Sequence, residues 1–407
     1  MSSLDTLARE DEGSPETGAV VRAPDPRLTA VAAATCAVTA ANVYFDQPLL
    51  PDIAGAFGVG DQAAGMVATA ATVGYAIGIL AFVPLGDVRR RRPLILALIA
   101  VSALALAAAA LAPSLPLLVA ASLAIGIFSP VPQLVIPLVV MLSGPAARGR
   151  TVGLAQAGLL VGILASRAYA GALADLTGWR GVYWCSFALT ISIGATFWRG
   201  VPDVPVVARL PYRRLLGSLV GLLSTDQEVR RICVSGAFVG VAFGAFWTTL
   251  AFMLRSHYGY GSAVAGLFGL VAAASALCSI YIGRIVDRRP PRTAFALPVL
   301  ACLAGLGALW AGEVSLVPLL LGTVLFDIGV WGNQVVNQAL LFRAATEVHS
   351  RLNTLYFGFR FLGIGLGSLG GALCWHRGGW QLVIGLGAAA VAAAAVIGAR
   401  LDRTSEA

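Results

Sequence analysis

The chain has 407 residues, of which 58% are hydrophobic and only 12% charged, with a formal net charge of +8. A single soluble core cannot absorb that much apolar sequence, so the composition excludes a soluble globular domain and predicts a chain covered largely by lipid. Nucleic acid is excluded as a partner by where the charge sits. All 28 basic residues are Arg; 23 fall in the tail and in loops alternating to one side, three in the opposite loops and two inside apolar runs.

In chain order, residues 1–27 form a polar tail carrying Asp5, Glu10, Asp11, Glu12 and Glu16. It lacks a basic start followed by an apolar core, so it reads as a disordered cytoplasmic tail and not as a signal peptide. Apolar runs long enough to cross about 30 Å of hydrocarbon then recur twelve times. The first six lie near 28–48, 63–85, 94–112, 116–141, 151–174 and 179–199. A polar stretch, 200–228, holds Arg209, Arg213, Arg214, Asp226 and Glu228 and reads as a cytoplasmic linker. Six more runs follow near 229–254, 262–283, 294–312, 314–342, 351–373 and 380–400, and 401–407 is a second cytoplasmic tail. The arginine bias places both termini in the cytoplasm. The expected fold is an all-α membrane protein of twelve transmembrane helices, in two pseudo-symmetric six-helix bundles spanning 28–199 and 229–400.

The two halves repeat each other. Leu85-Gly86-Asp87-Val88 followed by Arg89, Arg90, Arg91 and Arg92 matches Gly283-Arg284-Ile285-Val286-Asp287-Arg288-Arg289, about 200 residues later. Gly171-Ala172-Leu173 with Gly178-Trp179 likewise matches Gly371-Ala372-Leu373 with Gly379-Trp380. An Asp at a helix end followed by arginines can bridge to neighbouring helices and hold one conformational state. Asp87, Arg91, Arg92, Gly283, Asp287 and Arg288 are therefore read as a gating motif. The plainer alternative is that these arginines only fix orientation and contact anionic lipid.

Ionisable groups inside spans cost about 2.5–3.5 kcal/mol each on insertion scales, so each needs a reason. Four occur: Asp46, Arg167, Asp327 and Arg360. The pairing expected from depth is Asp327 with Arg360 and Asp46 with Arg167, opening when a proton or substrate binds; a permanent structural pair is the alternative. Polar residues also line up along single helix faces. Thr35, Thr39, Asn42 and Asp46 do so in the first span, Ser122, Gly126, Ser129 and Gln133 in the fourth, and Asp327, Trp331, Gln334 and Gln338 in the tenth. Tyr44 and Phe45, with Phe243, Phe246 and Trp247 in the seventh span, offer surfaces for an amphipathic or aromatic ligand. The expected substrate contacts are Asn42, Tyr44, Gln133, Trp247, Asp327, Trp331, Gln334 and Gln338. Pro130, Pro132 and Pro137 should kink the fourth span.

From about 28 to 400 the chain resembles the major facilitator superfamily. Its signature after the second helix runs Gly-x-x-x-Asp-Arg-x-Gly-Arg-Arg; the second copy matches at Gly283, Asp287 and Arg288. The first copy matches at Asp87, Arg91 and Arg92 but has Val83 and Arg90 where the family usually has Gly. Asn42 to Pro51 (NVYFDQPLLP) is similar to a bacterial, twelve-helix, efflux-type (drug/sugar efflux-like) branch. The resemblance implies alternating-access transport powered by an ion gradient, usually of protons, with helices one, four, seven and ten lining the cavity. A monomer in the bacterial inner membrane is implied as well. Two drug-antiporter features are missing, an Arg within 121–126 and a Gly-Pro pair within 158–162.

The reading is thus a secondary transporter, with proton-coupled export of a small organic compound expected and proton-coupled import of a metabolite as the alternative. An ATP-driven pump would need a separate ATPase, because the chain has no Lys with which to build a phosphate-binding loop. An enzyme is not expected. His257, His349 and His376 are far apart, and no HExxH or GxSxG stretch occurs. Cys36, Cys185, Cys233, Cys278, Cys302 and Cys374 are scattered singly, without metal spacing, so neither a metal nor a cofactor is expected.

Overall fold

The computed structural model describes residues 26–143, 147–204, 211–272, 275, 291–341 and 349–398. All regular structure among them is helical, as hydrocarbon demands of a backbone that must satisfy its own hydrogen bonds. The tails, and Gly283, Asp287 and Arg288, lie outside the described residues, apart from the first turn at Pro26.

The first span is interrupted. α1 (Pro26–Ala41) is followed by a turn over 42–46, a 3-10 turn (Gln47–Leu49) and α2 (Leu50–Phe57). Pro48 removes one helical donor and restricts Gln47, so a regular helix does not continue through this stretch. The stripe expected from Thr35 to Asp46 therefore does not run along one helix: Asn42, Tyr44 and Asp46 all sit on the turn. α3 (Asp61–Val88) and α4 (Arg91–Ala110) are continuous, whereas span four divides into α5 (Leu115–Phe128) and α6 (Val131–Leu142) at Ser129–Pro130. Pro132 falls in the first turn of α6, where a missing N–H costs nothing, and Pro137 lies inside it.

Spans five and six form α7 (Arg148–Gly200), broken where Gly178 adopts φ 71°. Spans eleven and twelve form α13 (His349–Gly398), broken at Gly378 and at Gly379, with φ 64°. The repeated Gly-Trp thus marks the same device twice: a left-handed residue that glycine adopts without a Cβ penalty, followed by an indole turned into the bundle. Between them lie α8 (Tyr212–Thr225), α9 (Gln227–Tyr258), α10 (Ser262–Ala272), α11 (Pro291–Trp310) and α12 (Leu316–Leu341). The stretch read as a polar linker therefore contains a helix, α8, which turns Leu215 and Leu219 inward. Asp226 then caps α9 by accepting from the amides of Glu228 and Val229. Counting α7 and α13 as two crossings each, and adding the α1–α2 pair and α10 to the other spans, the described helices fit twelve crossings.

Large apolar side chains such as Leu104, Leu176 and Val314 face outward, the arrangement lipid favours. The bundle closes through backbone-to-backbone approach. A Cβ on Gly162 would overlap the Ala37 carbonyl, and one on Gly367 that of Val241, so spans one and five and spans seven and eleven meet through glycine in the same way. α3 also packs along the first part of α13, and Gly171 and Gly266 of spans five and eight press on each other's neighbours at Ser262 and Arg167.

Candidate functional site: a central cavity and a buried charge cluster

A cavity of about 500 Å³ lies between the two halves of the chain. It extends from the end of the bundle that carries Asp87 and the arginines, near Gln156, Gln338 and Asn353, to mid-depth at Tyr44 and Phe243. Of the expected substrate contacts, Tyr44, Gln133, Trp331, Gln334 and Gln338 line it. The i, i+3, i+7 spacing of Trp331, Gln334 and Gln338 puts them on one face of α12, and Gln338 donates to Asn353 at 3.0 Å. Asn42 instead turns away and donates to Thr190 of span six at 3.0 Å. Trp247 and Asp327 lie behind the wall. Tyr75, Asn353, Phe357 and Phe361 also line it without having stood out in the sequence. No periodicity marked them, since α3 and α13 are apolar and glycine-rich on several faces.

Behind this wall the charges are arranged differently from the pairing expected. Among the described residues no ion pair joins Asp327 to Arg360 or Asp46 to Arg167. Arg167 is instead the cation acting on both carboxylates. Its Nε donates to Gln47 Oε1 at 2.7 Å, and its guanidinium carbon lies 4.0 Å from the Trp247 ring centre and 5.1 Å from that of Tyr44. Trp247 in turn donates to Asp327 Oδ1 at 3.4 Å. Each of these residues is at least 95% buried, so cation–π and charge–charge terms act here with little screening. Arg167 and Asp46 come from the first half of the chain, Trp247 and Asp327 from the second. The cluster is therefore a clasp across the halves. Gln47 was part of the NVYFDQPLLP stretch, but only the turn before Pro48 brings it to Arg167. Arg360 stands apart from the clasp, on the cavity wall near the Tyr356 hydroxyl.

The end of the bundle opposite the arginines is closed by contacts between halves. Arg255 pairs with Asp52 at 2.7 Å, Ser262 donates to the second Asp52 oxygen, and Trp375 donates to Asp61 at 2.9 Å. Deeper in, Thr69 and Thr248 both hydrogen-bond the Ser368 hydroxyl, at 3.0 and 2.8 Å. At the arginine end, Arg91 pairs with Asp87 at 2.9 Å and also donates to the Gly86 carbonyl. Arg92 reaches the Trp198 carbonyl, and Ser350 at the start of α13 donates to Asp87 at 3.4 Å. Asp87 thus touches the other half of the chain.

Twelve apolar crossings around a central cavity, with a repeated Asp–Arg loop, define a recognisable kind of molecule. The profile of the Major Facilitator Superfamily matches residues 32–368. The chain belongs to this superfamily. It is 35% identical over 364 residues to the uncharacterized transporter YgaY of Escherichia coli, covering 89% of this chain and 92% of that protein. It is 34% identical over 406 residues to the probable transporter SCO4007 of Streptomyces coelicolor, covering 96% and 92% of the two chains. In three dimensions it resembles a bacterial homolog of the human lysosomal transporter Spinster, solved inward-facing and unoccupied. The TM-score is 0.72 at 15% identity, over 93% of this chain and 96% of that one, a likeness that speaks for the fold alone. The protein is a multi-pass membrane transporter of the major facilitator type with twelve helices in two pseudo-symmetric bundles, a fold in which the substrate is a small molecule.

Proposed function

We propose that this transporter exports a small organic compound in exchange for protons by alternating access, as a monomer in the bacterial inner membrane. The halves 28–199 and 229–400 are the two rocking bodies, 200–228 is the cytoplasmic linker, and 1–27 and 401–407 are cytoplasmic tails. The arginine distribution supports a cytoplasmic placement of the Asp87 end. On that orientation the structure is an inward-facing state, with the cavity reached from the cytoplasm and the outer side closed at Asp52, Arg255 and Trp375.

The observation that carries the coupling is the clasp in which one guanidinium serves two carboxylates across the halves. A proton on Asp327 leaves one anion and one cation, a neutral set. Its loss leaves one net negative charge spread over two carboxylates that share one guanidinium, so the clasp favours uptake of one proton. That proton also weakens the hold of the second half on Arg167. A substrate that displaces Trp247 or Tyr44 from the guanidinium acts on the same joint. Two ligands acting on one joint are what coupling requires. Asp87, Arg91 and Arg92, with their second copy at Gly283, Asp287 and Arg288, then stabilise the closed state of the cytoplasmic side when the bodies rock.

The test is flux in proteoliposomes loaded with a compound panel under an imposed pH gradient. Protons entering as substrate leaves support export. Substrate moving in the same direction as protons makes the protein an importer, and flux indifferent to the gradient removes proton coupling.

A further inference from the structure

We infer that the cavity takes an organic anion, a single carboxylate on a flat aromatic body, and that Arg360 is the residue that binds the carboxylate. The inference rests on reading this cavity as the transport site.

Two arginines are buried at mid-depth, and they differ in the charges around them. Arg167 donates to Gln47, lies over the Trp247 ring and sits in the field of Asp46 and Asp327, although its Nη2 has no acceptor. Arg360 is 97% buried and makes no ion pair among the described residues; its Nη1 is sealed from solvent without an acceptor. Asp327, the carboxylate expected to pair with it, is engaged by Trp247 and lies under the charge of Arg167. An uncommitted guanidinium in hydrocarbon is costly unless an anion is part of its working cycle.

The lining points the same way. Among the described residues no Asp or Glu faces the cavity, so Arg360 is its one ionised group, and the site repels cations and attracts anions. The remaining polar lining is uncharged: the side-chain amides of Gln133, Gln156, Gln334, Gln338 and Asn353, with the tyrosines Tyr44 and Tyr75, orient a ligand without changing its charge. The apolar lining joins aliphatic side chains such as Leu160 and Ile163 to a group of aromatic ones: Tyr75 and Phe361 stand with ring centres 4.4 Å apart, and Trp331 faces the same space. A carboxylate meets guanidinium in a two-point fork, and the aromatic walls accept the flat remainder. At about 500 Å³ the cavity holds one small molecule of this kind.

The experiment is equilibrium binding to the purified full-length protein in detergent, read by tryptophan fluorescence. The probes are benzoate, phenylacetate, cinnamate, 1-naphthoate and indole-3-acetate, each beside its uncharged primary amide. Wild type should bind at least one acid about tenfold or more tightly than its amide, the discrimination of one charge-assisted pair. Arg360→Gln should lose that preference while its unliganded melting profile remains cooperative, and Arg360→Lys should restore part of it. If no acid in the panel binds, or acid and amide bind equally, the inference is overturned by the wild type alone, whatever the variants do. Equal preference in Arg360→Gln overturns the assignment of the residue. Binding needs neither gradient nor flux, so its failure leaves proton-coupled export standing. Conversely, failed coupling with intact anion selectivity leaves this site standing.

Discussion

Arg167→Gln removes the cation of the clasp while keeping a polar side chain of similar length. Three contributions go with it. The charge-assisted bond to Gln47 at 2.7 Å is worth about 1.5–3 kcal/mol. The stack on Trp247 at 4.0 Å contributes about 2 kcal/mol in a desolvated site. Asp46 and Asp327 also lose their common counter-charge. These terms overlap, and the summed loss is set by the rule for breaking a buried charge cluster, about 3–5 kcal/mol. At about 2 °C per kcal/mol for a chain of this size, the melting temperature should fall by roughly 6–10 °C. The assay is thermal unfolding in detergent followed by tryptophan fluorescence. The reasoning makes a second demand: adding Asp327→Asn to Arg167→Gln removes one stranded carboxylate, so the double variant should recover about 1–3 kcal/mol against the sum of the singles. A fall of under about 2 °C, or strict additivity of the two changes, would refute the account of Arg167 as the shared cation.

Other consequences are local. Asp52→Asn frees Arg255 and weakens Ser262 at the outer closure; because both charged partners are partly exposed, the pair is worth about 0–1 kcal/mol. Spin-label distances across that end should show the open population rising by no more than about fivefold. Asp87→Asn breaks the pair with Arg91 and the contact with Ser350, so transport rate should drop while equilibrium binding in the cavity stays within about twofold of wild type. Gly162→Leu drives a side chain into the Ala37 carbonyl; overpacking costs about 1–3 kcal/mol or more, and the yield of folded protein in the membrane should collapse. Trp380→Phe leaves the Leu309 carbonyl without its 2.7 Å donor and should cost about 1–3 kcal/mol in thermal unfolding.

Much of the architecture was legible because lipid imposes simple rules. Length and apolarity marked the spans, and the repeated Gly178-Trp179 and Gly379-Trp380 marked equivalent joints. The site was legible only in part. The face of α12 followed from helical spacing, because that helix is regular through Trp331, Gln334 and Gln338. Span one defeated the same reasoning, since Pro48 ends the periodicity on which the placement of Asn42 and Asp46 relied. Asp327 faces the charge of Arg167 and not the expected Arg360 for a related reason: depth along a helix is one coordinate, and it cannot say which arginine turns toward which carboxylate. Gln47 and the ring of Trp247 direct Arg167 to both, and neither contact has a signal in one dimension. The helix inside 200–228 was hidden by its arginines, which made an amphipathic segment read as a polar break.

The most direct test of coupled export is proton movement triggered by substrate in liposomes containing a trapped pH dye. The protein is reconstituted as wild type and as Asp327→Asn, and a panel of small organic compounds is supplied without any imposed gradient. At least one compound should move protons opposite to its own flux in the wild type, with the variant carrying substrate but no protons. Substrate flux without proton movement in the wild type, or normal coupling in Asp327→Asn, would contradict the role given to the clasp.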